Sequence, residues 1–274
     1  MEVTKLTKKR IAEYLLSGKR FDGRKPLDFR EISIEYGPSN MAEGSAIVRI
    51  GKTEVIAGVK MAVGEPYPNE EEKGTMSVTT ELLPLSSSRY EAGPPKFDAT
   101  EISRIVDRGI RESGMIDFEK LCIKKGEKVW MIYIDIYSLN DDGNILDAAS
   151  IAAIAALRSA KMPKYDEEKG RVQFGEWTDN KLPLEETITP LNITFHKVGG
   201  KFLIDPTANE EDASDSRIAI AISDWHGKAM INSIQKSEST EMTIQEVNEI
   251  LDMAEETFKN IKSRVEKLMK EKKK

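Results

Sequence analysis

The stretch GSAIVRIGKTEVIAGVKMAV, Gly44 to Val63, decides the fold. Two β-rich arms flank Gly51-Lys52, a pair suited to a tight turn, so the stretch reads as a hairpin. A second hairpin signal comes from ITPLNITFHKVGGKFLIDP, Ile188 to Pro206, which turns at Gly199-Gly200. Further strands and then helices follow each of them. Strands then helix, twice, predict two related α+β halves. No self-similarity between the halves is strong enough to establish a duplication.

Working outward from Gly44, ISIEYG (Ile32 to Gly37) is a short strand. EPYPNEEEKG (Glu65 to Gly74) has two prolines and a carboxylate run and reads as an exposed loop, after which TMSVTTELLPL (Thr75 to Leu85) resumes the sheet. A helix is predicted from Asp98 to Glu112, with Asp98 and Glu101 as a capping box and Gly114 just past its end. KVWMIYIDIYSL (Lys128 to Leu139) is a strand. LDAASIAAIAALRSAK (Leu146 to Lys161) is a helix that Asp147 can cap and Pro163 ends. It is apolar or small on nearly every side until Arg158, so it must be buried, and its alanines allow close approach.

The second half continues with the acidic stretch DPTANEEDASDSR, Asp205 to Arg217, and a hairpin turning near His226-Gly227. It closes with an amphipathic helix from Thr243 to about Met269, boxed by Thr243 and Glu246. A helix from Thr4 to Ser17, stopped by Gly18, opens the chain. The expected division is residues 1–30 as an N-terminal helix and arm, 31–190 as a first domain, and 191–274 as a second domain with the C-terminal helix.

Composition removes several classes of function. The single cysteine, Cys122, excludes an internal disulfide framework and a cysteine zinc cage. No apolar run is long enough to span a bilayer, and MEVTKLTKKR lacks a signal-peptide core, so a cytoplasmic protein is expected. The formal charge of −6 supplies no overall field for nucleic acid, although a local basic patch can still bind it. There is no P-loop and no Gly-x-Gly-x-x-Gly. His196 and His226 have no third ligand in a recognisable spacing, and each reads as structural.

Two groups of charges remain. Arg104, Arg108 and Arg111 share one helical face, opposite Ile102, Ile105, Val106 and Ile110. They could face phosphates, which suit the planar guanidinium, or form a solvated face paired with Glu101, Asp107 and Glu112. Spacing alone favours the solvated face. The acidic stretch lacks the spacing of a calcium loop; it could hold magnesium through water or simply connect two strands, and its pattern favours the connection.

The segments FDGRKPLDFREISIEYG (Phe21 to Gly37) and AEGSAIVRIGKTEVIAGV (Ala42 to Val59) resemble the start of the RNase PH family. FDATEISRIVDRGIRESGMIDFEKLCI (Phe97 to Ile123), DDGNILDAASIAAIAALRSAKMP (Asp141 to Pro163) and IQKSESTEMT (Ile234 to Thr243) extend the resemblance to roughly residues 20–260. Within the family the chain is similar to the non-catalytic RNase PH-type subunit of the archaeal exosome ring. The implied fold is RNase PH-like, that is, ribosomal protein S5 domain 2-like halves of sheet and helix, with added N- and C-terminal helices.

The family reaction is phosphorolysis of RNA from its 3′ end, and it needs a phosphate site and carboxylates at the leaving oxygen. Active members carry a Gly-Ser-Arg-type motif before the buried helix. The resemblance sets Asn144, Ile145 and Leu146 there, and aliphatic side chains cannot hold phosphate. Active members also follow a Glu-Asp pair with an aspartate six residues on. Glu211-Asp212 matches the pair, but Ile218 stands at the sixth place.

The resemblance therefore implies no catalytic residue, no metal and no cofactor in this chain. It implies a catalytic RNase PH-type paralogue as partner, in a ring of three heterodimers, with RNA-binding cap subunits on one face and RNA as ligand. It also reverses the weighing of the arginine face: Arg104, Arg108 and Arg111 would grip RNA in trans, with Arg89 and Lys96 of the preceding loop as further candidates. The alternative is an active phosphorolytic exoribonuclease whose phosphate site has moved, and a third reading is a scaffold whose arginines only pair at subunit interfaces.

Overall fold

A computed structural model of the chain describes residues 3–225, 227–237 and 240–271. Helix α1 (Lys5–Leu16) is capped by Thr4, whose side chain accepts the N–H of Thr7 at 3.2 Å. Its Ile11 and Leu15 are buried against Val198, Leu203 and Ala213, so the first helix docks on the second half of the chain.

Strands β1 (Ile32–Tyr36), β2 (Gly44–Ile50), β3 (Thr53–Gly64) and β4 (Thr75–Leu82) come next. Helix α2 (Phe97–Arg111), the short β5 (Cys122–Lys124) and the long β6 (Lys128–Asn140) complete a six-stranded sheet. Its order is β1-β2-β3-β6-β4, with β5 also beside β6. Strand β4 runs parallel to β6, and α2 lies in the crossover that this parallel pairing requires. Alternate residues such as Val55, Ala57, Val59, Ile132, Ile134 and Ile136 are buried, so one face of the sheet supplies the core.

Helix α3 (Ile145–Ser159) lies across that face. Every residue from Ile145 to Leu157 is buried, because α3 packs on β2 and β3 on one side and on the second sheet on the other. Six of those residues are alanines, which is what lets both sheets come close. Gly44 serves the same approach: a Cβ there would lie 2.3 Å from the carbonyl oxygen of Ala156.

A hairpin, β7 (Lys161–Asp166) and β8 (Arg171–Lys181), separates the halves and packs Met162, Tyr165 and Val172 against the core. The second sheet contains β9 (Leu191–Val198), β10 (Lys201–Ile204), β11 (Ser216–Trp225) and β12 (Lys228–Ser237), in the antiparallel order β10-β9-β11-β12. A one-and-a-half-turn helix, α4 (Ala208–Ala213), interrupts the acidic stretch, and α5 (Ile244–Glu271) packs on β9 and β1.

The hairpins at Gly51-Lys52 and Gly199-Gly200 form as expected, and so does the box at Thr243 and Glu246. Two caps do not. Helix α2 starts one residue early, with Lys96 at its N-cap and no side-chain cap, because Glu101 bonds Arg217 and Ser237 of the second sheet. Helix α3 has Asn144 rather than Asp147 at its N-cap, and Asp147 instead accepts from the Thr194 hydroxyl at 2.6 Å on β9. His226, the expected turn residue between β11 and β12, lies outside the described residues.

Candidate functional site: a cleft at the α3 N-terminus

The sequence before α3, Asp141-Asp142-Gly143-Asn144, turns the end of β6 into the helix. Asn144 does this in a left-handed conformation, φ 63°, which Asn tolerates better than most residues. The N-terminus of α3 then meets a cleft of about 780 Å³. The first turns of α2, the loop at residues 83–96, and the ends of α4, β11 and β12 form its walls.

A helix N-terminus normally offers free N–H groups to an anion. Here the adjoining amides are taken by carboxylates of the chain itself. Asp141 Oδ1 accepts the Gly143 N–H at 3.0 Å, and Glu211 Oε1 accepts that of Asn144 at 3.2 Å. Ile145 and Leu146 complete this wall with apolar side chains. Burial, then the charge of Asp141, pushes the Glu211 carboxyl up to about 7. Tyr90 donates to Asp141 at 2.8 Å, and burial followed by Asp141 raises its phenol well above the ordinary value.

The cations of the cleft are paired too. Arg89 Nη2 lies 2.7 Å from Asp212 Oδ2, Lys96 Nζ lies 2.6 Å from Glu91, and Arg217 pairs with Glu101. His196 is buried behind them, and neither ring nitrogen has a hydrogen-bond partner among the described residues. Burial, then Arg217 and Arg20, drives its pKa down to about 3, so it is neutral near pH 7. Among the described residues, no grouping of three or more His, Cys, Asp or Glu could hold a metal ion.

The five carboxylates of Asp205 to Arg217 thus go to three places. Asp205 and Glu210 are internal: Asp205 takes Arg30 through both oxygens at 2.8 and 2.9 Å and Arg24 at 2.7 Å, while Glu210 takes the buried Arg20. Against the upward pull of burial, Arg30 holds Asp205 below its usual range. Asp205 also accepts from the Asn144 amide at 2.8 Å, which ties the N-terminal arm to the start of α3. Asp215 meets Lys8 of α1 at the surface, and only Glu211 and Asp212 line the cleft.

Ile218 lies inside the apolar strand β11 and is buried in the core, while its neighbour Arg217 lines the cleft. Successive strand residues point to opposite faces, so a carboxylate at 218 would be turned away from Glu211. A cation, Arg217, stands where β11 reaches the cleft. Counting along the loop missed it, whereas the alternation in Arg217-Ile218-Ala219-Ile220 carries the signal.

The five expected RNA contacts separate. Arg89 and Lys96 line the cleft in their ion pairs. Arg104 and Arg108 are exposed on the outer face of α2, with no hydrogen bond or ion pair to any described residue. Arg111, also on that face, is folded back: both Asp107 oxygens accept from it, at 2.9 and 2.7 Å, and the Met76 carbonyl accepts at 2.8 Å. Its guanidinium lies 5.8 Å from the centre of the Phe118 ring.

Models of the 3′ exoribonuclease family match residues 28–163 as domain 1 and residues 189–257 as domain 2. The exosome complex component Rrp42 of Thermococcus onnurineus is 47% identical over 246 residues, covering 89% of this chain and 88% of that protein. Its counterpart from Methanocella arvoryzae is 42% identical over 249 residues, 91% of each chain. A solved structure described as the Archaeoglobus fulgidus exosome with RNA bound to the active site contains a chain with a TM-score of 0.84. That chain is 36% identical, and the match covers 94% of this chain and 97% of that one.

Proposed function

The chain belongs to the RNase PH family of 3′ exoribonucleases, and from that membership we propose that it is a non-catalytic ring subunit of an exosome. It scaffolds a catalytic RNase PH-type paralogue in three heterodimers, beneath RNA-binding cap subunits, and helps to hold RNA for 3′-to-5′ degradation. The observation that carries this reading is the state of the α3 N-terminus. Ile145 and Leu146 bring neither a hydroxyl nor a guanidinium to the place where an attacking phosphate would sit, and the carboxylates of Asp141 and Glu211 hold the amides of Gly143 and Asn144 just ahead of the helix. Phosphate entering the cleft would face an acidic lining that includes Glu211 and Asp212, and its arginines, Arg89 and Arg217, are already paired. Electrostatic repulsion at short range in a partly desolvated cleft is large compared with thermal energy.

RNA binding is assigned to the outer face of α2. Arg104 and Arg108 carry unneutralised charge there, and a phosphate gained by either breaks no existing pair.

The test is phosphorolysis of poly(A) in inorganic phosphate by the purified chain, by the paralogue, and by the mixture. No ADP is expected from the chain alone, and robust release from the mixture. Robust release by the chain alone would overturn the proposal.

A further inference from the structure

Phe97 is the first residue of α2, and it is 77% exposed. It is not needed for packing, because Ala99, Ile102, Ile105, Val106 and Ile110 already fill the buried face of the helix. At about 100° per residue it falls within roughly 40° of the line through Arg104 and Arg108. It precedes Arg104 by seven residues, about 10 Å along the axis. It also stands at the mouth of the cleft. The exposed outer face of α2 is therefore a strip with an aromatic ring at one end and two unpaired guanidinium groups beyond it. Glu101 is held by Arg217 and Asp107 by Arg111, so neither of these acids pairs with Arg104 or Arg108.

An open aromatic face beside free cations is the pattern that binds single-stranded nucleic acid: the ring takes a base and the cations take the phosphates. We propose that Phe97 is a stacking platform for a base of single-stranded RNA whose backbone is held by Arg104 and Arg108. This rests on the RNA-holding reading above and adds to it a contact that depends on the base. Stacking accepts any base, so the strip would favour single strands over duplex without reading sequence.

The experiment uses the ring reconstituted with the paralogue, in phosphate-free buffer so that RNA is bound and not degraded. Anisotropy is measured with labelled oligo(A) and with an abasic oligomer of equal length. Phe97→Ala is expected to weaken oligo(A) binding roughly 5- to 150-fold, since stacking on an aromatic is worth about 1–3 kcal/mol per base. Abasic binding and the salt dependence should not change, Phe97→Leu should behave like Phe97→Ala, and Phe97→Trp should restore binding. The pair Arg104→Ala/Arg108→Ala should weaken both oligomers.

Four results overturn the inference: Phe97→Ala weakens both oligomers equally, it weakens neither, Phe97→Leu retains full affinity, or both Phe97→Ala and Phe97→Leu block ring assembly on size exclusion. If the arginine pair changes neither oligomer, the RNA-holding reading itself fails. If the arginine pair acts and Phe97 does not, only the stacking fails.

Discussion

Arginines occur both around the cleft and on the outer strip of α2, yet they meet opposite surroundings. In and beneath the cleft each has a carboxylate of the same chain: Arg89 has Asp212, Arg217 has Glu101, and Arg30 has Asp205. On the strip, Arg104 and Arg108 have none among the described residues. A cation with an internal partner must give it up before binding a phosphate, and the released carboxylate then repels the ligand. A cation without one loses only water and counterions. The difference teaches that the number of arginines at a site says little about anion binding; the charge left over after internal pairing decides.

The sharpest way to test the internal side is Asp205→Asn. It leaves Arg24 and Arg30 without their shared buried carboxylate and weakens the hold on Asn144 at the start of α3. A loss of roughly 3–5 kcal/mol in denaturant unfolding is expected, the range for breaking one partner out of a buried pair. A loss under about 1 kcal/mol would mean that these arginines do not depend on it. The matching change on the strip, Arg104→Ala with Arg108→Ala, should leave stability within about 0.5 kcal/mol. It should lower RNA affinity of the assembled ring about tenfold and reduce the slope of log affinity against log salt by about 1.4, at about 0.7 per released contact on a single strand. An unchanged slope would remove the strip from the RNA path.

Glu211 tests the acidic side of the cleft. Its carboxyl titrates near 7 in the folded chain against an ordinary value of 4.5, raised by burial and then by Asp141. The folded state therefore holds more protons than the unfolded state between those values, and stability falls as pH rises through that window. Glu211→Gln keeps an oxygen for the Asn144 N–H and removes the titration. Its stability relative to the natural chain should rise by about 1 kcal/mol from pH 5 to pH 8, well below the full shift because the cleft is open to water. Asp147 and His196 are also shifted, but both are present in each chain and cancel in the difference. A difference independent of pH would show that Glu211 is already ionised at low pH.

Much of the fold was legible because its signals are local. Gly51-Lys52 and Gly199-Gly200 turn where turn chemistry says they must, and the alanine-rich Leu146 to Leu157 run is buried as its lack of a polar face requires. The failures involve partners distant in sequence. Asp98 and Glu101 have the spacing of a box, but Glu101 is claimed by Arg217, 116 positions away. Asp147 has the place of a cap, but Thr194 on another strand satisfies it. In the cleft, the resemblance pointed to Ile145 and Leu146, and they do line it. It could not show that Glu211 takes the Asn144 N–H just ahead of the helix, nor that strand parity brings Arg217 rather than Ile218 to the cleft. Helix α4 was readable in principle, since Thr207 and Glu210 have the box spacing and form the box.

Arg111 lies between the two regions and gives the smallest expected effect. By spacing it belongs with Arg104 and Arg108, but by environment it belongs with the cleft arginines: Asp107 takes it at two points, and Met76 and Phe118 hold it against the sheet. The Asp107 hydrogen bonds, first among several effects, raise its pKa and mark the pairing as favourable to the charge. If leftover charge governs binding, Arg111→Ala should change RNA affinity of the ring by less than about twofold, as expected of a side chain with no free charge to release counterions. Stability should drop by no more than about 1 kcal/mol, because the pair is partly exposed and screened. The comparison breaks if Arg111→Ala weakens RNA binding as much as Arg104→Ala does. Position on the α2 face would then outweigh internal pairing, and Arg89 and Arg217 would regain standing as RNA contacts despite their carboxylates.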